Sequence, residues 1–126
     1  MKPTILAIDD DLPMLWLIRK VLKDYNVVTK TDGLEAMMWL TRGNHPDLII
    51  LDQEMPNLDG KKFLRGIRGS GIYRRIPVLF VSSWIDASFI QEIESLEVRE
   101  LIHKPFDPVI LRECVDRNLH SQPATA

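Results

Sequence analysis

The run Leu48-Ile49-Ile50-Leu51 constrains the fold of this chain more than any other stretch. Branched aliphatics in unbroken succession predict a strand covered on both faces, as in parallel sheets sandwiched between helices. The run stops at Asp52, and the turn-forming Pro56-Asn57 follows closely. A buried parallel strand delivers its next residue to the carboxyl edge of the sheet, where open α/β folds place their ligands. Asp52 occupies that position. Taken alone it is equally a strand-capping residue that starts a turn, so its meaning depends on what else reaches the same edge.

The rest of the chain repeats the same alternation. Short apolar strands are expected at Thr4–Ile8, Val27–Thr29, Pro77–Val81 and Glu100–His103, each followed by a helical pattern. Met14, Leu15, Ile18, Val21, Leu22 and Tyr25 recur at helical spacing after Pro13, which suits a first turn. Asp32-Gly33 opens a helix through Ala36, Met37 and Leu40, and Gly43 ends it. Phe63, Leu64 and Ile67 mark the third helix, and Phe89, Ile90, Ile93 and Leu96 mark the fourth. Asp107 and Pro108 open a fifth helix lined by Leu111, Cys114, Val115 and Leu119. Five βα units with short right-handed crossovers predict a doubly wound (βα)5 flavodoxin-like sandwich around a parallel five-stranded sheet. Strand order 2-1-3-4-5 is expected by analogy with sheets of this kind. One domain over residues 1–120 and a polar, frayed tail over 121–126 complete the expected organisation.

Charge and cysteine content narrow the function class. A net charge of -2 argues against direct nucleic-acid binding, and no apolar run reaches the length of a membrane span. The single cysteine, Cys114, lies in a helical pattern and reads as a buried thiol in a cytoplasmic protein. His45, His103 and His120 have no zinc-ligand spacing.

Four strands end in related chemistry: Asp9 and Asp10 after the first, Asp52 after the third, Ser82 at the fourth and Lys104 after the fifth. Each has a bland alternative: a solvated acidic turn capping the first helix for Asp9-Asp10-Asp11, a polar strand end for Ser82, a surface lysine for Lys104. Asp11 fits the capping role better than a ligand role. Brought to one rim, carboxylates about 4 Å apart repel by roughly 4 kcal/mol at an effective dielectric near ~20, so they call for a counter-charge. A divalent cation with oxygen ligands supplies it, and Mg²⁺ suits one or two carboxylates with waters and a phosphoryl oxygen.

These motifs, Ile8-Asp9-Asp10-Asp11, Leu51-Asp52-Gln53-Glu54-Met55-Pro56-Asn57-Leu58-Asp59-Gly60, Val81-Ser82-Ser83 and His103-Lys104-Pro105-Phe106, resemble those of the response-regulator receiver domains of two-component signalling. The resemblance runs from about Thr4 to Leu119, and the stand-alone chemotaxis type is nearest in layout. It implies that Asp52 is a phosphoacceptor, with Ser82 and Lys104 contacting the phosphoryl group. It implies a Mg²⁺ site made by Asp10, Asp52 and the backbone carbonyl of Glu54, with Asp9 acting through a water. It further implies a signalling switch rather than an enzyme with an external substrate, assisting its own phosphorylation and dephosphorylation. The implied partners are a sensor histidine kinase or phosphotransfer protein and a downstream protein, in the cytoplasm. Both a monomer and a phosphorylation-dependent dimer fit, as do a stand-alone regulator and the receiver of a longer protein. The Lys104-Pro105 bond resembles one that is cis in the family.

Three features depart from the family pattern. Leu101 stands where receivers commonly carry an aromatic switch residue. Ser95-Leu96-Glu97-Val98-Arg99 replaces the usual Gly-Ala pair before the fifth strand, which should alter packing against the fourth helix. Trp84 is placed to cover the phosphoryl group and slow its hydrolysis, or simply to pack on its loop. Glu54 is a candidate partner for Lys104 when no phosphate is bound. Trp16, Trp39 and Trp84 all sit where a helix or loop can expose them; Trp16 lies on the helix where kinases and phosphatases dock in this family, or simply shields the aliphatic surface beneath it. Three other readings compete with the switch. A binding module working by constitutive contacts is motivated by Leu101. A flavodoxin-like redox protein needs a phosphate loop that Asp9-Asp10-Asp11 would repel. A hydrolase with its nucleophile on the first strand leaves Asp52 unexplained.

Overall fold

The computed structural model describes residues 2–120, so the tail expected over 121–126 lies outside the described residues. Five strands and five helices alternate: β1 (Thr4–Ile8), α1 (Leu12–Val21), β2 (Asn26–Lys30), α2 (Gly33–Thr41), β3 (Leu48–Asp52), α3 (Gly60–Arg68), β4 (Val78–Ser82), α4 (Ala87–Glu94), β5 (Glu100–His103) and α5 (Pro108–His120). All pairings are parallel, and the sheet order is β2-β1-β3-β4-β5. The expected doubly wound architecture is the observed one.

Two apolar layers hold the sheet. Strand side chains alternate between faces. Ile5, Ala7, Leu48, Ile50, Leu79 and Val81 pack one way, against Leu15 and Ile18 of α1 and Leu111, Cys114 and Val115 of α5. Leu6, Ile8, Ile49, Leu51, Val78 and Phe80 pack the other way, against α2, α3 and α4. Every residue of β3 and β4 is buried, which explains their near-continuous aliphatic sequence. Fully burying one such aliphatic contributes about 1.5–3 kcal/mol, so the central strands dominate stability.

Helix starts are fixed by aspartates. Asp11, Asp32, Asp59 and Asp86 each accept a hydrogen bond from the backbone N–H three residues on. Asp107 does the same for Val109, two residues on, with Pro108 opening α5. Asp11 is therefore the α1 cap expected for it. Gly43 ends α2 with φ 98°, a left-handed value that suits glycine.

Some expectations shift. α1 ends at Val21 rather than running on to Tyr25, although Leu22 and Tyr25 remain buried. Ile90, one of the apolar residues that mark α4, is 39% exposed, because a helix this short turns only Phe89 and Ile93 inward. Trp39 packs partly buried on the α2–α4 layer instead of standing free. Leu96, Val98 and Leu101 join the same layer, so the residues replacing Gly-Ala fill the space between α4 and β5. Glu97 adopts φ 55° there, a left-handed conformation that costs a non-glycine residue about 1–2 kcal/mol.

Candidate phosphoryl-transfer site

Register brings the acidic residues together. Ile8 pairs with Leu51, so Asp9 and Asp52 leave adjacent strands side by side. One carboxylate oxygen from each of Asp9, Asp10 and Asp52 lies within 4.8 Å of the other two. Asp9 and Asp52 are buried, at 3% and 2% exposure, while Asp10 is open to solvent. The Lys104–Pro105 peptide is cis, and Lys104 reaches the rim from the end of β5. Its Nζ donates to Asp9 Oδ2 at 3.2 Å and lies 2.9 Å from Asp52 Oδ1, the latter an ion-pair contact without the alignment of a hydrogen bond. Asp9 Oδ1 also accepts from the Asp11 N–H at 3.0 Å.

Both oxygens of Asp52 are buried; Oδ1 has only the Lys104 ion pair, and Oδ2 has no hydrogen-bond donor among the described residues. A buried polar atom left this way is costly and rare unless it serves a function. Burial, and then the charges of Asp9 and Glu54, push the Asp52 carboxyl up to about 6, against the pull of Lys104. Burial likewise raises Asp9, against the Asp11 N–H and Lys104. Burial alone would lower the Lys104 ammonium, but Asp52 and Asp9 outweigh it and hold it above its ordinary value. Asp9 and Asp52 thus share one ammonium, and the Asp10 carboxylate adds a further negative charge beside them. Their all-oxygen donor set and surplus negative charge fit a hard divalent cation such as Mg²⁺.

The loop after β3 closes the floor of the site. Gly60 opens α3 directly under Asp52: a Cβ there would fall 2.6 Å from the Asp52 carbonyl oxygen and 2.8 Å from Gln53 Cα. Gln53 holds the turn, its carbonyl accepting from the Gly60 N–H at 3.1 Å and its side chain from the Lys61 N–H at 2.8 Å.

Ser82 is fully buried at the end of β4, one residue beyond the Asp52–Val81 pair. Its hydroxyl is engaged within 2.9 Å of both Glu54 Oε2 and the Trp84 carbonyl oxygen. Glu54 Oε1 accepts from the Ser83 N–H at 3.1 Å and from the Ser83 hydroxyl at 2.9 Å. The Glu54 side chain therefore clasps the loop after β4 and does not pair with Lys104, which is held by Asp9 and Asp52. This clasp is the site feature that the sequence reading missed; a loop carboxylate opposite two consecutive serines was the available signal.

Trp84 is 72% exposed, with its ring N–H on Asp86 at 3.1 Å, so in this conformation it stands in solvent rather than over Asp52. Trp16 is 61% exposed, with the Lys20 ammonium 5.2 Å from its ring. Leu101 is partly buried with the α2–α4 layer.

The response regulator receiver domain profile matches residues 5–116. Chemotaxis protein CheY-3 of Vibrio cholerae is 30% identical over 116 residues, covering 90% of this chain and 88% of that protein. The sensor histidine kinase CheAY of Helicobacter pylori is 31% identical over 118 residues, or 91% of this chain, which spans only 15% of that longer protein. Among solved structures, Vibrio cholerae CheY4 superposes with a TM-score of 0.87 at 28% identity, covering 94% of this chain and 100% of that one. The phosphorylated cyanobacterial phytochrome response regulator RcpA does so with a TM-score of 0.86 at 29% identity, covering 97% of each chain. Profile, relatives and strand order agree: the chain belongs to the response regulator receiver domain family of two-component signalling.

Proposed function

We propose that this receiver domain is a phosphorylation-dependent switch in which Asp52 takes a phosphoryl group from the phosphohistidine of a sensor histidine kinase or phosphotransfer protein. The observation that carries this reading is the buried Asp52 carboxylate, without a hydrogen-bond donor and beside the Lys104 ammonium. A carboxylate oxygen of Asp52 attacks phosphorus, the P–O bond forms as the P–N bond of the donor breaks, and the donor imidazole leaves. Lys104 offsets charge on the transferred group as a compact cation. The Ser82 hydroxyl, once released from Glu54, donates to a phosphoryl oxygen. Asp9, Asp10, Asp52 and the Glu54 backbone carbonyl would hold Mg²⁺, which when bound neutralises charge on the phosphoryl oxygens. Drawing Ser82 toward the phosphoryl group shifts the loop after β4 and, with it, the start of α4, changing the surface offered to a downstream protein.

Titration with beryllofluoride and Mg²⁺, followed by tryptophan emission, tests the reading. Saturable binding that disappears in Asp52→Asn is expected. Absence of binding, with partner contacts indifferent to Asp52→Asn, would leave the domain a constitutive binding module.

A further inference from the structure

We propose that the hollow at the amino edge of β4 and β5, at the opposite end of the strands from Asp52, binds a compact polyphosphate anion. Arg68, Arg74, Arg75 and Arg99 line a cavity of about 350 Å³ in which Glu97 is the one carboxylate among the described residues. In a chain of net charge -2, this is a pronounced local excess of positive charge. Volumes of about 300–1,000 Å³ are usual for small-ligand sites.

Arg68 is fixed at the centre. Its Nε donates to the Leu96 carbonyl at 2.8 Å and its Nη1 to the carbonyls of Arg74 and Ile76 at 3.0 and 2.9 Å. Its Nη2 donates to the Glu97 carbonyl at 3.2 Å. Carbonyl dipoles engage four of its five N–H groups but leave the positive charge uncancelled. Burial holds this guanidinium below its ordinary range, Glu97 opposes that, and Arg99 adds to it. The backbone of Arg99 is pinned to β4 by its N–H on the Val78 carbonyl at 2.9 Å. Arg74, Arg75 and Arg99 are exposed and form no ion pair among the described residues.

Like charges around one concave surface raise its potential, and a multivalent anion relieves it. Guanidinium forks match phosphate oxygens in pairs. Among the described residues no aromatic ring lines the cavity, so recognition falls on clustered phosphates rather than on a stacked base. A compact, open hollow on an acidic chain also differs from the extended basic stripe that nucleic acid needs.

The test is titration of the full chain with inorganic triphosphate, read by calorimetry and by backbone amide shifts. Saturable shifts at Arg74, Arg75, Ile76, Glu97 and Arg99 are expected. Arg75→Gln and Arg99→Gln should each weaken binding about tenfold, with unchanged melting temperature. Added salt should weaken it further, and Asp52→Asn should leave it unaltered. Three results would overturn the proposal: no saturation at millimolar triphosphate, shifts centred on Lys104 and Asp52, or affinity indifferent to both glutamine substitutions. A polyglutamate peptide that displaces triphosphate at lower concentration would also overturn it, by identifying the ligand as an acidic protein segment.

Discussion

Glu54→Ala is expected to raise the affinity for beryllofluoride about tenfold at fixed Mg²⁺. In the resting site the Glu54 carboxylate accepts from Ser82 Oγ at 2.9 Å, Ser83 N at 3.1 Å and Ser83 Oγ at 2.9 Å. Glu54 is exposed, so each bond is worth about 0.5 kcal/mol, the low end of the net range. Three together amount to roughly 1.5 kcal/mol, a tenfold bias toward the resting loop. A phosphoryl mimic that recruits the Ser82 hydroxyl must first break this clasp. Glu54→Gln separates the clasp from simple charge repulsion, because it removes the charge while keeping the side-chain length and one acceptor oxygen. An intermediate gain of about threefold is expected for it. Emission from Trp84, two residues beyond Ser82, reports the titration, with Trp84→Phe correcting for Trp16 and Trp39. Equal affinities for Ala and Gln would assign the whole effect to charge. An affinity for Glu54→Ala at or below wild type would refute the clasp.

Gly60→Ala places a Cβ 2.6 Å from the Asp52 carbonyl oxygen, against backbone that cannot yield cheaply. It should cost about 1–3 kcal/mol in urea unfolding and abolish beryllofluoride binding; unaltered stability would refute that account of the loop. Glu97→Gly relieves a φ of 55° and should raise the melting temperature by about 3 °C, the gain being reduced by the entropy of a free glycine. A lower melting temperature would contradict it. Hydrogen bonding from Arg117, against burial, and with help from Cys114 and Asn118, holds the Glu100 carboxyl below its ordinary value of 4.5. A lowered folded pKa stabilises fully above the unfolded value and loses that contribution as pH falls through the folded one. Glu100→Gln should therefore melt lower than wild type at about pH 7 and converge with it toward about pH 3.

The fold was legible because β1, β3 and β4 are buried on both faces and had to be written as aliphatic runs, each ending at a polar residue. The positions of Asp9, Asp10, Asp52 and Ser82 followed from those strand ends, and that of Lys104 from the end of β5, since parallel strands share one carboxyl edge. Contacts made by long side chains across loops were not legible. Arg68 looks like an ordinary basic residue in the last turn of a helix, yet it bonds four carbonyls from two neighbouring loops. Glu54 had Lys104 as its expected partner, and geometry gives it to Ser82 and Ser83 instead. Trp39 is partly buried and Ile90 partly exposed because a helix of two to three turns buries a narrow stripe, and one step around it reverses exposure.

The central claim is that Asp52 is the phosphoacceptor. Its most direct test is intact-mass analysis after incubation with acetyl phosphate and Mg²⁺. Wild type should gain the mass of one phosphoryl group, and the gain should vanish in Asp52→Asn and on chelation of the metal. No adduct on wild type, or an adduct that survives Asp52→Asn, would contradict it.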